Sequence, residues 1–257
     1  MTPRPPRSGA RGWRGGWAVL FVGLTAACVP RAEVKGPGDP DAGLTVSWLG
    51  HACFSFQDSA HRLFLIDPFD ESIGYDFHWV RPDAVLITHD HFDHNHLRHA
   101  DAYAVLRATG VNTVAGIEVT GILADHDGEG GRKNGPTRIY VWSMGGLRLA
   151  HLGDIGQADL RPDQREALQG IDVLFVPVGG RTTVDAAGAR RLIDLLRPRV
   201  VVPMHYGNAR VRFFEFDPLE PFLKLFKNIV ELPDAVFHLR AADLPAETTV
   251  YVPAVPS

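Results

Sequence analysis

One stretch of eleven residues constrains this chain more than any other: A-V-L-I-T-H-D-H-F-D-H at positions 84–94. An apolar run typical of a buried strand ends at Thr88, and four metal-binding side chains follow at His89, His91, Asp93 and His94. Residues two apart in extended backbone point to the same side, so His89 and His91 can converge on one ion. The chain must then turn for Asp93 and His94 to face a second ion. Imidazole and carboxylate suit Zn²⁺, so the pattern predicts a metal site rather than a loop of solvated histidines.

Charge and residue counts narrow the classes of partner. The formal net charge is −4, with 26 basic and 30 acidic residues, yet four arginines and no acid precede Cys28. The rest of the chain is therefore more acidic than the total indicates. Because phosphate binding needs clustered Lys and Arg, we expect no nucleic-acid partner. Two cysteines, Cys28 and Cys53, exclude a fold held together by a disulfide framework.

The N-terminal segment predicts export. Residues 1–16 are rich in Arg, Pro and Gly, and the apolar run W-A-V-L-F-V-G-L-T-A-A follows at 17–27. This run is too short to span a bilayer as a helix, which needs about 20 residues, but it suits a signal peptide. The sequence T-A-A-C ending at Cys28 resembles the bacterial lipoprotein cleavage box. We expect a signal at 1–28, a lipid anchor on Cys28 as the only membrane contact, a flexible tether at 29–43 and a folded domain at 44–257. Secretion with cleavage elsewhere and an uncleaved anchor are the alternatives.

The folded domain carries many short apolar runs broken by Gly, Asp and Pro. Strands are expected in hairpin order first and alternating with helices later, which predicts an α+β arrangement of packed sheets flanked by helices. No Rossmann or Walker phosphate loop follows a strand. The expected strands are 44–49, 53–57, 62–66, 84–88, 113–115, 139–142, 147–150, 173–178, 200–203, 235–238 and 249–252, and the expected helices are 96–109, 162–168, 184–196 and 218–226.

The motif H-x-H-x-D-H after a strand resembles the signature of the metallo-β-lactamase superfamily. Further motifs resemble this superfamily in the same order: A-D-H-D around His126, H-L-G-D ending at Asp154, and P-M-H-Y around His205. The motifs W-L-G-H at His51 and D-P-F at Asp67 are similar to the branch of L-ascorbate-6-phosphate lactonase. The resemblance covers residues 44–206 and implies a four-layer αββα sandwich.

The resemblance also implies the roles of the site residues. A first ion would take His89, His91 and His126, a second would take Asp93, His94 and His205, and Asp154 would bridge them. His151 competes with His126 as the third histidine of the first ion. If His126 is the ligand, His151 is either a catalytic proton relay beside Asp93 and Asp154 or a histidine of the core. Around the ions, Asp67 would orient a ligand unless it only begins a turn, His51 would line the pocket or be structural, and Arg181 would suit an anionic substrate unless its segment only caps a helix.

The expected function is hydrolysis of a small ester, lactone or phosphoester. Two divalent cations would share a hydroxide and polarise the scissile bond. Zinc is the first expectation, with manganese and iron as alternatives, because this donor set accepts all three. A lipid phosphodiesterase similar to N-acylphosphatidylethanolamine phospholipase D is the second expectation. The third is a metal-binding envelope lipoprotein without catalysis, which a set of seven ligands around a bridged pair disfavours.

Overall fold

A computed structural model describes residues 38–211 and 215–256, together with Met1. The predicted signal segment at 1–28, with Cys28, and the tether residues 29–37 lie outside the described residues. Ordered strand structure begins at Leu44, after a single 3-10 turn at Pro40–Ala42. Within the described ranges, no helix combines the length and the apolar character needed to cross a membrane.

The strands of the described residues form two sheets, and the first has six strands in the order β13-β1-β2-β3-β4-β5. Strand β2 is antiparallel to its neighbours β1 and β3, and β3, β4 and β5 run parallel to one another. Strand β13 lies at the edge beside β1 and is antiparallel to it. The strands are β1 (Leu44–Gly50), β2 (Cys53–Asp58), β3 (Leu63–Ile66), β4 (Ala84–Leu86), β5 (Ala104–Leu106) and β13 (Val236–Leu239).

The second sheet has eight strands in the order β12-β14-β11-β10-β9-β8-β7-β6. Strands β6 to β9 form an antiparallel meander, and the remaining strands are parallel to β9. They are β6 (Gly110–Val114), β7 (Ile117–Asp125), β8 (Pro136–Met144), β9 (Leu147–His151), β10 (Val173–Pro177), β11 (Val200–Met204), β12 (Ile229–Glu231) and β14 (Thr249–Val252). The helices are α1 (Pro162–Ala167), α2 (Ala186–Leu196) and α3 (Glu220–Leu223).

The hydrophobic core lies between the two sheets. Phe54 and Phe56 of β2 reach Phe175 of β10, with ring centroids 4.7 Å and 5.2 Å apart, and Phe56 also meets Trp142 of β8 edge-on at 5.0 Å. Alternate residues of a strand face opposite sides, so these side chains from one face of each sheet interdigitate. The chain therefore forms the α+β sandwich that the sequence predicts.

The outer side of the first sheet departs from expectation, because the predicted helix at 96–109 is absent. Ala104–Leu106 instead form β5, which pairs in parallel with β4 and so satisfies backbone groups that β4 would otherwise expose at an edge. Irregular chain, with one 3-10 turn at Glu71–Ile73, covers this side of the sheet. Its side chains Phe69 and Tyr75 pack in a second apolar cluster with Leu65 and Val85 of the sheet.

The strand directions bring the motif residues to one end of the sandwich. Strands β1, β3 and β4 are mutually parallel, and so are β7, β9 and β11. Each of these strands ends just before a residue or segment singled out in the sequence. The residues that follow them are His51 after β1, Asp67 after β3, His89 after β4, His126 after β7, Asp154 after β9 and His205 after β11.

Candidate metal centre

The loop after β4 turns between its two pairs of polar residues. Strand β4 ends at Leu86, and the Tyr140 hydroxyl donates a hydrogen bond to the carbonyl oxygen of Ile87 at 3.0 Å. The His94 amide then donates to the His91 carbonyl oxygen at 3.0 Å, which closes a tight turn. This turn directs His89 and His91 to one side and Asp93 and His94 to another, as the spacing of the motif requires.

Three histidines form the first donor group. The Nδ1 atom of His91 lies 3.1 Å from Nε2 of His89 and 3.2 Å from Nε2 of His126. His89 and His126 are buried, whereas His91 faces the surface. Three nitrogen atoms this close, each able to offer a lone pair, match the donor type and number that a divalent cation such as Zn²⁺ takes from a protein.

Four residues form the second donor group: His51, Asp93, His94 and His205. Asp93 Oδ2 lies 3.2 Å from His51 Nε2 and 3.6 Å from His94 Nε2. Nδ1 of His205 is buried and has no hydrogen-bond partner among the described residues, while Nε2 lies 3.0 Å from the carboxylate of Asp154. Buried polar atoms in proteins are almost always satisfied, so an orphaned imidazole beside a carboxylate fits a site for a cation.

Asp154 lies between the two groups. Its Oδ2 atom is 3.3 Å from Nε2 of His94, 3.4 Å from Nε2 of His126 and 3.0 Å from Nε2 of His205. Its other oxygen is buried without a hydrogen-bond partner in the described part of the chain. Asp154 thus contacts donors of both groups, which is the position that the sequence resemblance implies for a bridging carboxylate.

Two further contacts hold the histidine rings from outside the groups. Asp67 is fully buried after β3, and its Oδ2 atom lies 3.0 Å from Nδ1 of His94. The carbonyl oxygen of Thr182 lies 3.1 Å from Nδ1 of His126. Each contact places a ring proton on Nδ1 and leaves Nε2, which faces Asp154, as the nitrogen that could bind a cation, which is how proteins orient histidines that bind metals.

Burial and mutual charge shift the proton equilibria of the groups in the absence of a cation. Burial lowers the pKa of His89, and burial together with His205 lowers the pKa of His51 to about 4. Burial opposes the charge on His94, but Asp154 and Asp93 raise its pKa well above the usual value. The pKa of Asp154 is held low against burial by His205 and His94. In the metal-free centre His94 therefore carries a positive charge, while the nearby rings of His51 and His89 stay neutral.

The backbone is left-handed at three of these positions. The φ angles are 54° at His51, 48° at Asp67 and 54° at His205, each directly after a strand. Side chains other than glycine adopt this region rarely, at a cost of about 1–3 kcal/mol. Close packing imposes it at His51, whose carbonyl oxygen accepts hydrogen bonds from the Trp48 indole and the His205 amide at 3.1 Å each.

His151, one of the proposed catalytic residues, is directed away from this centre. Its Nε2 atom lies 2.9 Å from the Ala52 carbonyl oxygen, and its Nδ1 atom accepts a hydrogen bond from the Gly153 amide at 3.1 Å. With both nitrogens bonded to backbone, the ring has no atom left to relay a proton. The geometry therefore favours a structural role for His151 and gives the third position of the first group to His126.

Arg181 and two unpredicted residues complete the surroundings. Arg181 is exposed and donates a hydrogen bond to the Glu215 carbonyl oxygen at 3.3 Å. It directly precedes Thr182, whose carbonyl oxygen contacts His126. Phe216 was not anticipated, yet its ring packs against His205 with centroids 4.4 Å apart. Thr88 was not anticipated either, although it immediately precedes His89 in the motif. Nothing in the sequence distinguishes Phe216 from other aromatic residues, because only the fold brings it to the centre.

Comparison with known proteins identifies the family of this chain. The family described as the beta-lactamase superfamily domain matches residues 45–205. A UPF0173 protein of Pyrococcus furiosus is 32% identical over 199 residues, covering 69% of this chain and 88% of the relative. A UPF0173 metal-dependent hydrolase of Deinococcus radiodurans is 33% identical over 199 residues, covering 64% of this chain and 85% of the relative.

A solved structure extends the same comparison to three dimensions. It is a candidate Zn-dependent hydrolase of the metallo-β-lactamase superfamily from Thermotoga maritima, 31% identical, with a TM-score of 0.69. The match covers 82% of this chain and 99% of that protein. The family match, the relatives and the cluster of histidines and aspartates agree. This chain belongs to the family described as the beta-lactamase superfamily domain, and it is a metal-dependent hydrolase of the metallo-β-lactamase superfamily.

Proposed function

We propose that this hydrolase uses two divalent cations to cleave a small ester, lactone or phosphoester. The observation that carries the proposal is the position of Asp154, whose Oδ2 atom lies within 3.4 Å of His126 in one donor group and of His94 and His205 in the other. A carboxylate placed between two sets of imidazoles suits a shared ligand, whereas a closed structural site for one ion needs only four donors.

The donor groups define which residues would hold the ions. His89, His91 and His126 would hold the first, Asp93, His94 and His205 the second, and Asp154 would contact both. A pair of such cations would lower the pKa of bound water toward neutrality and polarise the bond to be cleaved. Imidazole and carboxylate donors favour zinc, and the Thermotoga maritima relative is described as a candidate Zn-dependent hydrolase. Manganese and iron are compatible with the same donors.

The chain's own residues orient these groups and define the surroundings of the substrate. His51 contacts Asp93 Oδ2 through Nε2 and packs on the ring of His205 with centroids 4.1 Å apart, so it fixes two members of the second group at once. At the surface, Phe92 is 43% exposed beside His91, and Arg181 is exposed beside Thr182. An apolar ring and a guanidinium near the same centre would suit a small substrate that carries both an apolar part and a negative charge.

The test combines metal analysis with a panel of substrates. Protein purified without added metal should contain close to two equivalents of divalent cation and should hydrolyse members of a lactone, ester and phosphodiester panel. Asp154→Asn should retain fewer than two ions and lose at least about 100-fold in kcat/KM, because it weakens both sites together. His238→Asn, an exposed substitution in β13, is the matched control and should leave both quantities unchanged.

Other results would redirect or end the proposal. Activity confined to phospholipid vesicles would favour a lipid phosphodiesterase over small substrates. A single tightly held ion without turnover would favour a metal-binding protein without catalysis. Full turnover by protein that contains no ions would refute the two-cation proposal.

A further inference from the structure

The buried carboxylate of Asp67 contacts more than one residue of the centre. Its Oδ1 atom accepts a hydrogen bond from the Thr88 amide at 2.8 Å. Its Oδ2 atom accepts one from the Thr88 hydroxyl at 2.6 Å and lies 3.0 Å from Nδ1 of His94. Asp67 and Thr88 are both fully buried, so water does not compete for these contacts. Both oxygens of the carboxylate are therefore engaged, by Thr88 and His94.

The hydroxyl of Thr88 extends this arrangement to a third residue. Its Oγ1 atom lies 2.9 Å from Nδ1 of His89. A hydroxyl has one proton to donate, and that proton goes to Asp67, so Thr88 can only accept a hydrogen bond from His89. The ring proton of His89 then sits on Nδ1, and the lone pair on Nε2 is left for the first donor group.

We infer that Thr88 is a positioning residue that lets the single carboxylate of Asp67 fix ligands of both cations, His94 directly and His89 through the Thr88 hydroxyl. This inference rests on the proposed two-cation site. Without the hydroxyl, the Nδ1 proton of His89 would be buried with no acceptor, and the ring would be free to take the other tautomer or to rotate. The first site should weaken, while the second keeps its own contact to Asp67.

The role of the hydroxyl can be separated from the role of Thr88 in the fold. The amide of Thr88 binds Asp67 Oδ1 independently of the side chain, so Thr88→Val keeps this anchor and nearly the same volume. Thr88→Ser keeps the hydroxyl and loses a methyl group. The valine variant therefore tests the hydrogen bond, and the serine variant tests whether a hydroxyl alone is sufficient.

The experiment is a calorimetric titration of metal-free protein with Zn²⁺. His126→Ala and His205→Ala assign the two binding phases, because each removes a ligand of one site. Thr88→Val should weaken the phase of the first site by about 10–100-fold, the usual effect of removing the partner of a metal-binding histidine, and should change the other phase little. Thr88→Ser should restore the first phase to within a few-fold. Asp67→Asn should weaken both phases.

Thr249, another buried threonine, provides the matched control. Thr249→Val removes a buried hydroxyl, which donates to the Glu247 carbonyl oxygen. Thr249 begins β14 and pairs with Val200, at the end of β11 opposite to His205, so both phases should remain as in the original chain. Unchanged phases in Thr88→Val, or equal weakening of both, would overturn the role of Thr88 while the two-cation proposal stands. Fewer than two phases in the unsubstituted chain would overturn both, and would be seen before any variant is made.

Discussion

Three ring nitrogens in the centre are already engaged on the side away from Asp154. Nδ1 of His94 faces Asp67, Nδ1 of His126 faces the Thr182 carbonyl oxygen, and Nδ1 of His89 faces the Thr88 hydroxyl. The opposite nitrogen of each ring lies 3.3–4.0 Å from Asp154 Oδ2. The protein thus selects which nitrogen of each ring can bind a cation before any cation arrives, which reduces the reorganisation that binding requires.

His151 allows a test of structural against catalytic use of a buried histidine. His151→Leu keeps an apolar side chain of similar size but leaves the Ala52 carbonyl and the Gly153 amide without partners. We expect a loss of about 2–4 kcal/mol in the free energy of unfolding, measured by urea denaturation, because each buried group left unsatisfied costs about 1–3 kcal/mol. The shape of the pH profile of kcat should not change. A missing limb in that profile would instead show that His151 transfers a proton.

The sequence was informative about the donors and much less so about their supports. Seven residues named from motifs, from His89 to His205, meet in the structure because each directly follows a strand or lies in the loop after one. His51 and Asp67 also lie where the motifs suggested. Thr88, the Thr182 carbonyl and Phe216 could not be ranked beforehand, since a hydroxyl, a backbone oxygen and a core ring carry no spacing signal. Their roles arise from contacts between segments far apart in sequence.

At the level of elements, the short apolar runs predicted strands well and helices less well. Helices α1 and α2 lie where expected, but the 218–226 segment is helical only at Glu220–Leu223, and 96–109 is not helical. In the latter, the apolar residues Ala104, Val105 and Leu106 are compatible with a helix or a strand. Their pairing with β4 makes this segment a strand. The sequence does not predict strand β7, because Glu118, Thr120 and Gly121 interrupt its apolar pattern. In the structure β7 pairs with β8 through seven pairs of residues.

The contact between the ends of β10 and β11 predicts a sensitive glycine. A Cβ atom added to Gly179, just after β10, would overlap the carbonyl oxygen of His205 and press on Tyr206. Gly179→Ala should therefore destabilise the fold by about 1–3 kcal/mol and displace His205, which should weaken the proposed second cation site more than the proposed first one. Zinc titration together with thermal denaturation would measure both effects.

A glycine with open space around it, Gly128, provides the control for Gly179→Ala. A Cβ atom at Gly128 would meet nothing within 4 Å, so Gly128→Ala should leave zinc binding and stability close to those of the original chain. If Gly179→Ala leaves the second site intact, the close approach of the two strand ends does not position His205.

At the scale of the whole sandwich, the centre takes its donors from both sheets. His89, Asp93 and His94 follow β4 of the first sheet, whereas His126 and His205 follow strands of the second. Neither sheet alone supplies a complete group, because the first group needs His126 and the second needs His205. Cation binding therefore favours the closed sandwich over any state in which the sheets separate, and metal removal should lower stability by mass action.

The lowered histidine pKa values predict how the metal-free protein responds to acid. His51, with a pKa of about 4, and His89, also lowered, stay neutral in the fold but take up protons once unfolded, where the usual value is 6.5. The unfolded state then binds more protons, so stability falls as pH drops from 6 toward 4, by at most about 1.4 kcal/mol per pH unit for each neutral ring. His94 has a raised pKa and is charged in both states at the lower end of this range, so it adds little slope there.

Urea denaturation of chelator-treated protein at several pH values would measure this slope. His51→Gln cannot take up a proton and should show a shallower fall between pH 6 and pH 4 than the original chain. Equal slopes in the two proteins would mean that His51 is already protonated in the folded metal-free state.

The left-handed backbone at His51, Asp67 and His205 has a consequence for anyone engineering this enzyme toward heat resistance. Glycine adopts a positive φ angle without steric cost, so glycine at any of these three turns would remove the local backbone strain. Each relief, however, deletes an imidazole or a carboxylate from the centre. The strain at these positions is therefore a cost of holding the centre together, and efforts to stabilise the protein belong elsewhere in the sandwich.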